Sequence, residues 1–269
     1  MVVLRKQKPA TAGFSANHNP QRITQHLFPK AVRNRLLQTA CLNKSSQHKT
    51  GIIKTVVERV ETKIVKASDP DAARKAAEVV LSGGIIVYPT ETLYGIGGLA
   101  LRCGAAQRVS EIKQRQEGKP FSVLVGDMEM LHRHFFISEK QADAYGKMLP
   151  LPLTLVLRGK TSGAFPPEVS KDGQTAVRIS GGEFVQRLFE VLKEPLISSS
   201  ANISGSENLL SGSEAARIFS GKVELIVDSG NLPSSQGSAI VSLAGKTPEI
   251  LRDGDLEPEQ LKDFLQWLS

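Results

Sequence analysis

The sequence is poor in the residues that staple or metallate proteins. Its two cysteines, Cys41 and Cys103, cannot make a disulfide framework or a zinc knuckle. Of five histidines, His18, His26 and His48 are scattered, and the pair His132 and His134 lacks the further ligands a zinc site needs. Long apolar runs are missing as well. The longest, at 85–88 and 150–157, fall far short of the ~20 residues a membrane-spanning helix requires. No Gly-x-Ser-x-Gly elbow surrounds any serine, which removes the usual α/β-hydrolase signature. Gly245-Lys246-Thr247 resembles the end of a P-loop, but Ile240 stands where the first glycine belongs. Gly95-Ile96-Gly97-Gly98 lacks the spacing of a dinucleotide fingerprint.

Acid is absent from the first fifty residues, which hold nine Lys or Arg. The net charge of +7 therefore belongs to that segment, because the remaining 219 residues carry 25 basic against 27 acidic side chains. Phosphate chemistry in the body must rest on individually placed cations and not on a broad basic field. Residues 1–55 read as a basic, disordered tail. That composition fits a transit peptide, an arm that touches RNA, or sequence upstream of the true start. It lacks the apolar stretch of a secretory signal, so the expected location is the cytoplasm, with a mitochondrion or plastid second.

From residue 56 onward, apolar content and periodicity suit one folded domain at 56–269. Ser68-Asp69-Pro70-Asp71 starts a helix that Gly83-Gly84 stops. Further helices are expected over 104–116, 138–148, 183–193, 213–220 and 258–268. Strands are expected over 62–65, 85–88, 121–125, 153–158, 175–180, 195–199, 223–228, 238–243 and 249–252. The alternation indicates an α/β (α+β) fold around one sheet, without fixing strand order. Residues 160–174 have no period and read as a lid-type loop.

Four stretches carry chemistry. Pro89-Thr90-Glu91-Thr92-Leu93-Tyr94-Gly95 sets two hydroxyls, a carboxylate and a phenol just after a buried strand, a common ligand position. An ordinary proline turn is the bland alternative. Lys113-Gln114-Arg115 and Lys119-Pro120 put three cations in a helix-to-strand loop, where they can clamp a polyphosphate or simply face water. Ser198-Ser199-Ser200-Ala201-Asn202 ends an apolar strand with a row of hydrogen-bonding groups. Arg178 interrupts an apolar strand, at a cost unless it meets an anion or faces water at an edge. Ser238 and Arg252, at the borders of C-terminal strands, say little singly.

In order and spacing, these stretches resemble the YrdC-type threonylcarbamoyl-AMP synthases over residues 62–268. The match rests on Pro-Thr-Glu-Thr-x-Tyr-Gly at 89–95, Lys-x-Arg with Lys-Pro at 113–120, and Pro-x-Thr-x-Val at 152–156. It continues with Ala176-Val177-Arg178, Ser-x-Ser-Ala-Asn at 198–202 and Arg-x-Gly at 252–254. The resemblance implies a YrdC-like twisted mixed sheet, flanked by helices, with a concave substrate cleft. It implies condensation of L-threonine, bicarbonate and ATP to threonylcarbamoyl-AMP and pyrophosphate, with Mg2+ accompanying ATP. Partner proteins would transfer the threonylcarbamoyl group to the adenosine beside the anticodon of tRNA. By matching position, Lys113, Arg115, Lys119, Ser198, Ser200, Asn202, Ser238 and Arg252 would bind ATP. Thr90, Tyr94 and Arg178 would bind threonine; no side chain is assigned as general base or as metal ligand.

Departures from the family pattern are local. Leu124 stands where some members carry a threonine-contacting histidine, and Ala239 replaces a hydroxyl residue beside Ser238. The resemblance leaves two further readings. One is an accessory protein that binds structured or double-stranded RNA; the other is a carbamoyl-adenylating enzyme for a different amino acid. A subgroup of uncertain activity shares the fold but usually loses the Lys-x-Arg and Ser-Ala-Asn matches, both intact here.

Overall fold

A computed structural model of the chain describes residues 59–115 and 118–269. The expected basic tail at 1–55 lies outside the described residues. Eleven strands and seven helices alternate in the described part. In chain order they are β1 (Lys63–Lys66), α1 (Ala72–Leu81), β2 (Ile86–Pro89), β3 (Tyr94–Gly97), α2 (Cys103–Lys113) and β4 (Ser122–Val125). Next come α3 (Met128–His134), β5 (Phe135–Phe136), α4 (Glu139–Met148), β6 (Leu153–Gly159), β7 (Gln174–Ile179) and α5 (Glu183–Val191). The chain closes with β8 (Leu196–Ser200), α6 (Gly212–Phe219), β9 (Leu225–Asp228), β10 (Ala239–Ser242), β11 (Glu249–Arg252) and α7 (Pro258–Leu268).

One twisted mixed sheet orders the strands β1-β9-β2-β3-β8-β4-β7-β6-β10-β11, with β5 added on β6. Parallel pairs (β1/β9, β2/β9, β4/β7, β6/β10) alternate with antiparallel ones, so segments far apart in sequence become neighbours. Helices pack on this sheet through small or bulky apolar stripes as their spacing predicts. α1 buries Ala72, Ala73, Ala76, Ala77 and Val80, a small-residue face that lets it lie close against α5, β2 and β9. α5 buries Phe184, Val185, Leu188 and Phe189, each worth about 1.5–3 kcal/mol of apolar transfer.

Local signals set the boundaries. Ser138 caps α4 with a full capping box through Gln141. At α1 no side chain caps the first turn. Instead Asp69 accepts the Asp71 N–H at 2.9 Å before the helix begins. Three elements escape the periodicity argument, among them the two-residue strand β5. α3 is seven residues long and buries only Met130 and Leu131, too little to register as an amphipathic pattern, although Asp127 caps it by accepting the Met130 N–H. β3 contains Gly95 and Gly97, which read as a turn, yet it is a fully buried central strand. The loop at 160–174 is not a loose lid. Phe165 stacks on Phe135 at 5.4 Å between ring centroids, and Val169 is fully buried.

Gly97 is required where it stands. A β-carbon there would lie 1.7 Å from the carbonyl oxygen of Ile197 on β8, so β3 and β8 can meet only with hydrogen at that position. Gly97→Ala is expected to cost about 3 kcal/mol or more in urea unfolding, because backbone on both sides must move. An unchanged midpoint would show that the close approach does not constrain the sheet.

Candidate functional site

Register places the motif residues on one face of the sheet. Tyr88 pairs with Gly95, Gly95 with Ser200, Ser122 with Ser198, and Leu124 with Arg178. Cross-strand partners and residues two apart share a face, so all seven project to the same side. Tyr88 lies over Gly95, where a β-carbon would come within 2.9 Å of its ring, and its hydroxyl donates to the Ile197 carbonyl at 3.3 Å.

The first wall forms where α2 ends beside β8. Gln114 takes the left-handed conformation (φ 51°), and the Arg115 N–H closes back on the Ser110 carbonyl at 2.9 Å. This stop aims Lys113 inward. Its side chain is buried, and its Nζ donates to the carbonyls of Ser200 and Asn202 and to Asn202 Oδ1 at 3.0 Å. Three oxygens thus meet the three donors of an ammonium. Burial, with the neighbouring Arg115 charge adding to it, pulls the Lys113 pKa down to about 7. The folded value lies below the unfolded one. The group's contribution to stability is therefore complete above about pH 10.5 and is lost as pH falls toward 7.

Arg115 is half-buried. Its guanidinium lies 4.5 Å above the Phe121 ring centroid and donates to the carbonyls of Lys119 and Pro120 and to Ser199 Oγ. Ser200 Oγ donates to Asn202 Oδ1 at 2.7 Å, and Ser122 Oγ donates to the Ser198 carbonyl at 2.5 Å. The lysine side chain of Lys119 is exposed at the mouth of this loop. Lys113 and Arg115 are held by neutral oxygens, so their charges stay available to an anion.

The second wall centres on Arg178, on interior strand β7 and 6% exposed. The anion it was expected to need is Glu91, whose Oε1 lies 2.9 Å from Arg178 Nη1. Glu91 Oε2 accepts from Ser180 Oγ and from the Gly182 N–H at 3.2 Å. Arg252 donates twice to the Ser238 carbonyl, at 2.9 and 2.7 Å, and Ser238 Oγ meets Thr154 Oγ1 at 2.8 Å. Burial lowers the Arg252 pKa, and the nearby Arg178 charge lowers it further. Gly254 is essential to this arrangement, since a β-carbon would strike Ala239 N and Ser238 C at 2.3 Å.

Two residues expected to touch threonine are otherwise engaged. Thr90 Oγ1 donates to the Leu93 carbonyl at 2.7 Å and accepts from the Leu93 N–H, so its hydroxyl closes its own turn. Tyr94 Oη donates to the Gly230 carbonyl at 2.8 Å and accepts the Ser229 N–H at 2.9 Å. The phenol is fully buried and ties β3 to the end of β9. Leu124 is buried between Arg178 and Leu196, and Ala239 donates its N–H to the Pro152 carbonyl. Ser199 and Thr154 lie inside quoted motifs but carry no expected role, and Ser180 belongs to none of them. Each sits one or two residues from a motif residue or inside one, and that adjacency was the available signal.

A family model named for Sua5, YciO and YrdC, and described as "Telomere recombination", matches residues 78–254. The chain belongs to the Sua5/YciO/YrdC family. It is 32% identical over 195 residues to a threonylcarbamoyl-AMP synthase of Pyrococcus abyssi, covering 71% of this chain and 56% of that one. The structure of Pyrococcus abyssi Sua5 complexed with L-threonine superposes with a TM-score of 0.67 at 30% identity, over 76% of this chain and 59% of that one. Escherichia coli YciO superposes with a TM-score of 0.66 at 25% identity, over 76% of this chain and 98% of that one. The chain thus spans little more than half the length of its archaeal relative.

Asn202→Ala removes an acceptor shared by Lys113 and Ser200 and leaves buried donors unmet. Urea unfolding is expected to show a loss of about 1–3 kcal/mol. A variant as stable as the parent would mean that the Lys113 cage does not depend on Asn202.

Proposed function

We propose that this protein is an L-threonylcarbamoyladenylate synthase. The observation that carries the reading is the interlocked Lys113–Asn202 cage with Arg115 stacked beside it. Two cations held by neutral oxygens suit a polyphosphate, and their Lys-x-Arg and Ser-x-Asn spacings match the synthase pattern. The subgroup of uncertain activity that shares the fold usually loses both. The likeness to a synthase, and to a relative solved with L-threonine, supports the same reading.

In this account the threonine amine and bicarbonate give a carbamate with loss of water. A carbamate oxygen then attacks the α-phosphorus of ATP, the bond to the bridging β-phosphate oxygen breaks, and pyrophosphate leaves. Arg115 and the exposed Lys119 hold phosphate oxygens, Lys113 contributes its nearby charge, and Ser198, Ser200 and Asn202 shape the nucleotide side. Arg178 receives the threonine carboxylate, and Ser238 and Arg252 close the wall between the two substrates. Thr90 contributes through its turn and not through its hydroxyl. Catalysis is positioning of anions by fixed cations and dipoles, without a protein nucleophile. Among the described residues, no group of three or more His, Cys, Asp or Glu could hold a metal ion. Magnesium would accompany ATP, as the family resemblance implies. The product would pass to a threonylcarbamoyl transferase that modifies tRNA.

Pyrophosphate release by the full chain should require ATP, L-threonine and bicarbonate together. Lys113→Met and Arg115→Ala are each expected to lower it about 100-fold or more while circular dichroism stays unchanged. Release that ignores threonine, or full activity in both variants, would refute the reading.

A further inference from the structure

Arg178 and Glu91 are bound by charge but not by a hydrogen bond. Arg178 Nη1 and Glu91 Oε1 approach to 2.9 Å, yet both are buried atoms without a hydrogen-bond partner, because the N–H does not point along the contact. The other carboxylate oxygen is fully committed. Ser180 Oγ and the Gly182 N–H hold Oε2, and they follow Arg178 by two and four residues on the same strand and its exit. Gly182 must be glycine to come this close, since a β-carbon would lie 2.9 Å from Glu91 N. Cation and clamp therefore come from one short segment, and Glu91 arrives from the β2–β3 turn to lock onto it.

Buried donors are rarely left unmet in folded proteins, and those that are often face a ligand's place. Arg178 is buried, cationic and carries such a donor. The two walls also differ in charge. Lys113 and Arg115 are held by neutral oxygens, whereas Arg178 and Arg252 lie within electrostatic reach of each other and Arg178 faces the Glu91 carboxylate. With Glu91 beside Arg178 and Asp255 near Arg252, this wall carries far less net positive charge than the first, which suits a single carboxylate better than a polyphosphate.

We infer that Glu91 is a positioning residue for the amino-acid substrate: clamped by Ser180 and Gly182, it holds Arg178 by charge while leaving its Nη1–H uncommitted for a ligand carboxylate. The inference rests on the synthase reading. It assigns Glu91 no contact with reacting atoms. Neutralising it frees the guanidinium to turn away and raises the wall's charge, so the effect falls on amino-acid binding and not on ATP.

Glu91→Gln keeps the size of the side chain and an oxygen for Ser180 and Gly182. In the full chain its KM for L-threonine, read from pyrophosphate release, is expected to rise about tenfold, with kcat and the KM for ATP within about twofold. Calorimetric titration with L-threonine alone should show weakening in the same direction. Ser180→Ala, which removes one arm of the clamp, should shift the threonine KM the same way by a smaller factor, and it serves if Glu91→Gln does not fold. A merely structural role would lower the melting temperature and move all the kinetic constants together, and that result would overturn the inference. So would a threonine KM unchanged in both variants while the parent chain is active. A parent chain that neither binds nor uses L-threonine would defeat the synthase reading itself, and this inference with it.

Discussion

A buried ammonium is the constraint on which the site depends. Lys113 can lie inside the protein only because three oxygens from the end of β8 and the residues after it surround its Nζ. Those oxygens reach it because α2 stops at a left-handed Gln114 and β8 ends at Ser200, from which the chain continues into Asn202. The Lys113 carbonyl in turn accepts the Ser204 N–H at 2.9 Å, so the segment after β8 is fixed from both sides. One cation thus joins a helix end, a strand end and the following loop into a rigid corner. Arg115, stacked on Phe121, extends the corner outward.

The opposite wall solves a similar problem differently. Arg178 is as deeply placed but meets a carboxylate, so its charge is partly cancelled. A buried ion pair seldom adds much stability, because desolvation offsets the attraction. Its usefulness here is geometric: Glu91 ties the β2–β3 turn to the end of β7, and Arg252 ties Ser238 to β11. The sheet brings these strand ends together through parallel pairings between distant segments.

Much of this was legible in the sequence, for physical reasons. Alternating apolar runs and helical stripes located nine of the strands and six of the helices to within a few residues. The cost of burying Arg178 left a choice between an anionic partner and a sheet edge, and the Glu91 contact on an interior strand answers it. Other features were not legible. Gly95 and Gly97 look like a turn unless the Tyr88 ring is known to lie over the first and β8 to press on the second. The hydroxyls of Thr90 and Tyr94 looked available, yet each is consumed by neighbours that only the folded chain supplies. Glu91 pairs with a residue 87 positions away, and no local pattern encodes that contact. Strand order was beyond reach for the same reason.

The central claim is that Lys113, whose donors are already met by protein oxygens, lies where bound phosphate would add negative charge beside it. Burial holds its pKa near 7, so at pH 8.5 the free protein keeps this amine mostly neutral. ATP is fully ionised at that pH, and its phosphates would raise the lysine's affinity for a proton. Calorimetric titration of the full chain with magnesium–ATP at pH 8.5, in buffers of different ionisation enthalpy, measures that exchange directly. Uptake approaching about one proton, lost in Lys113→Met, is the predicted result. ATP binding without proton uptake in the parent chain would contradict the account.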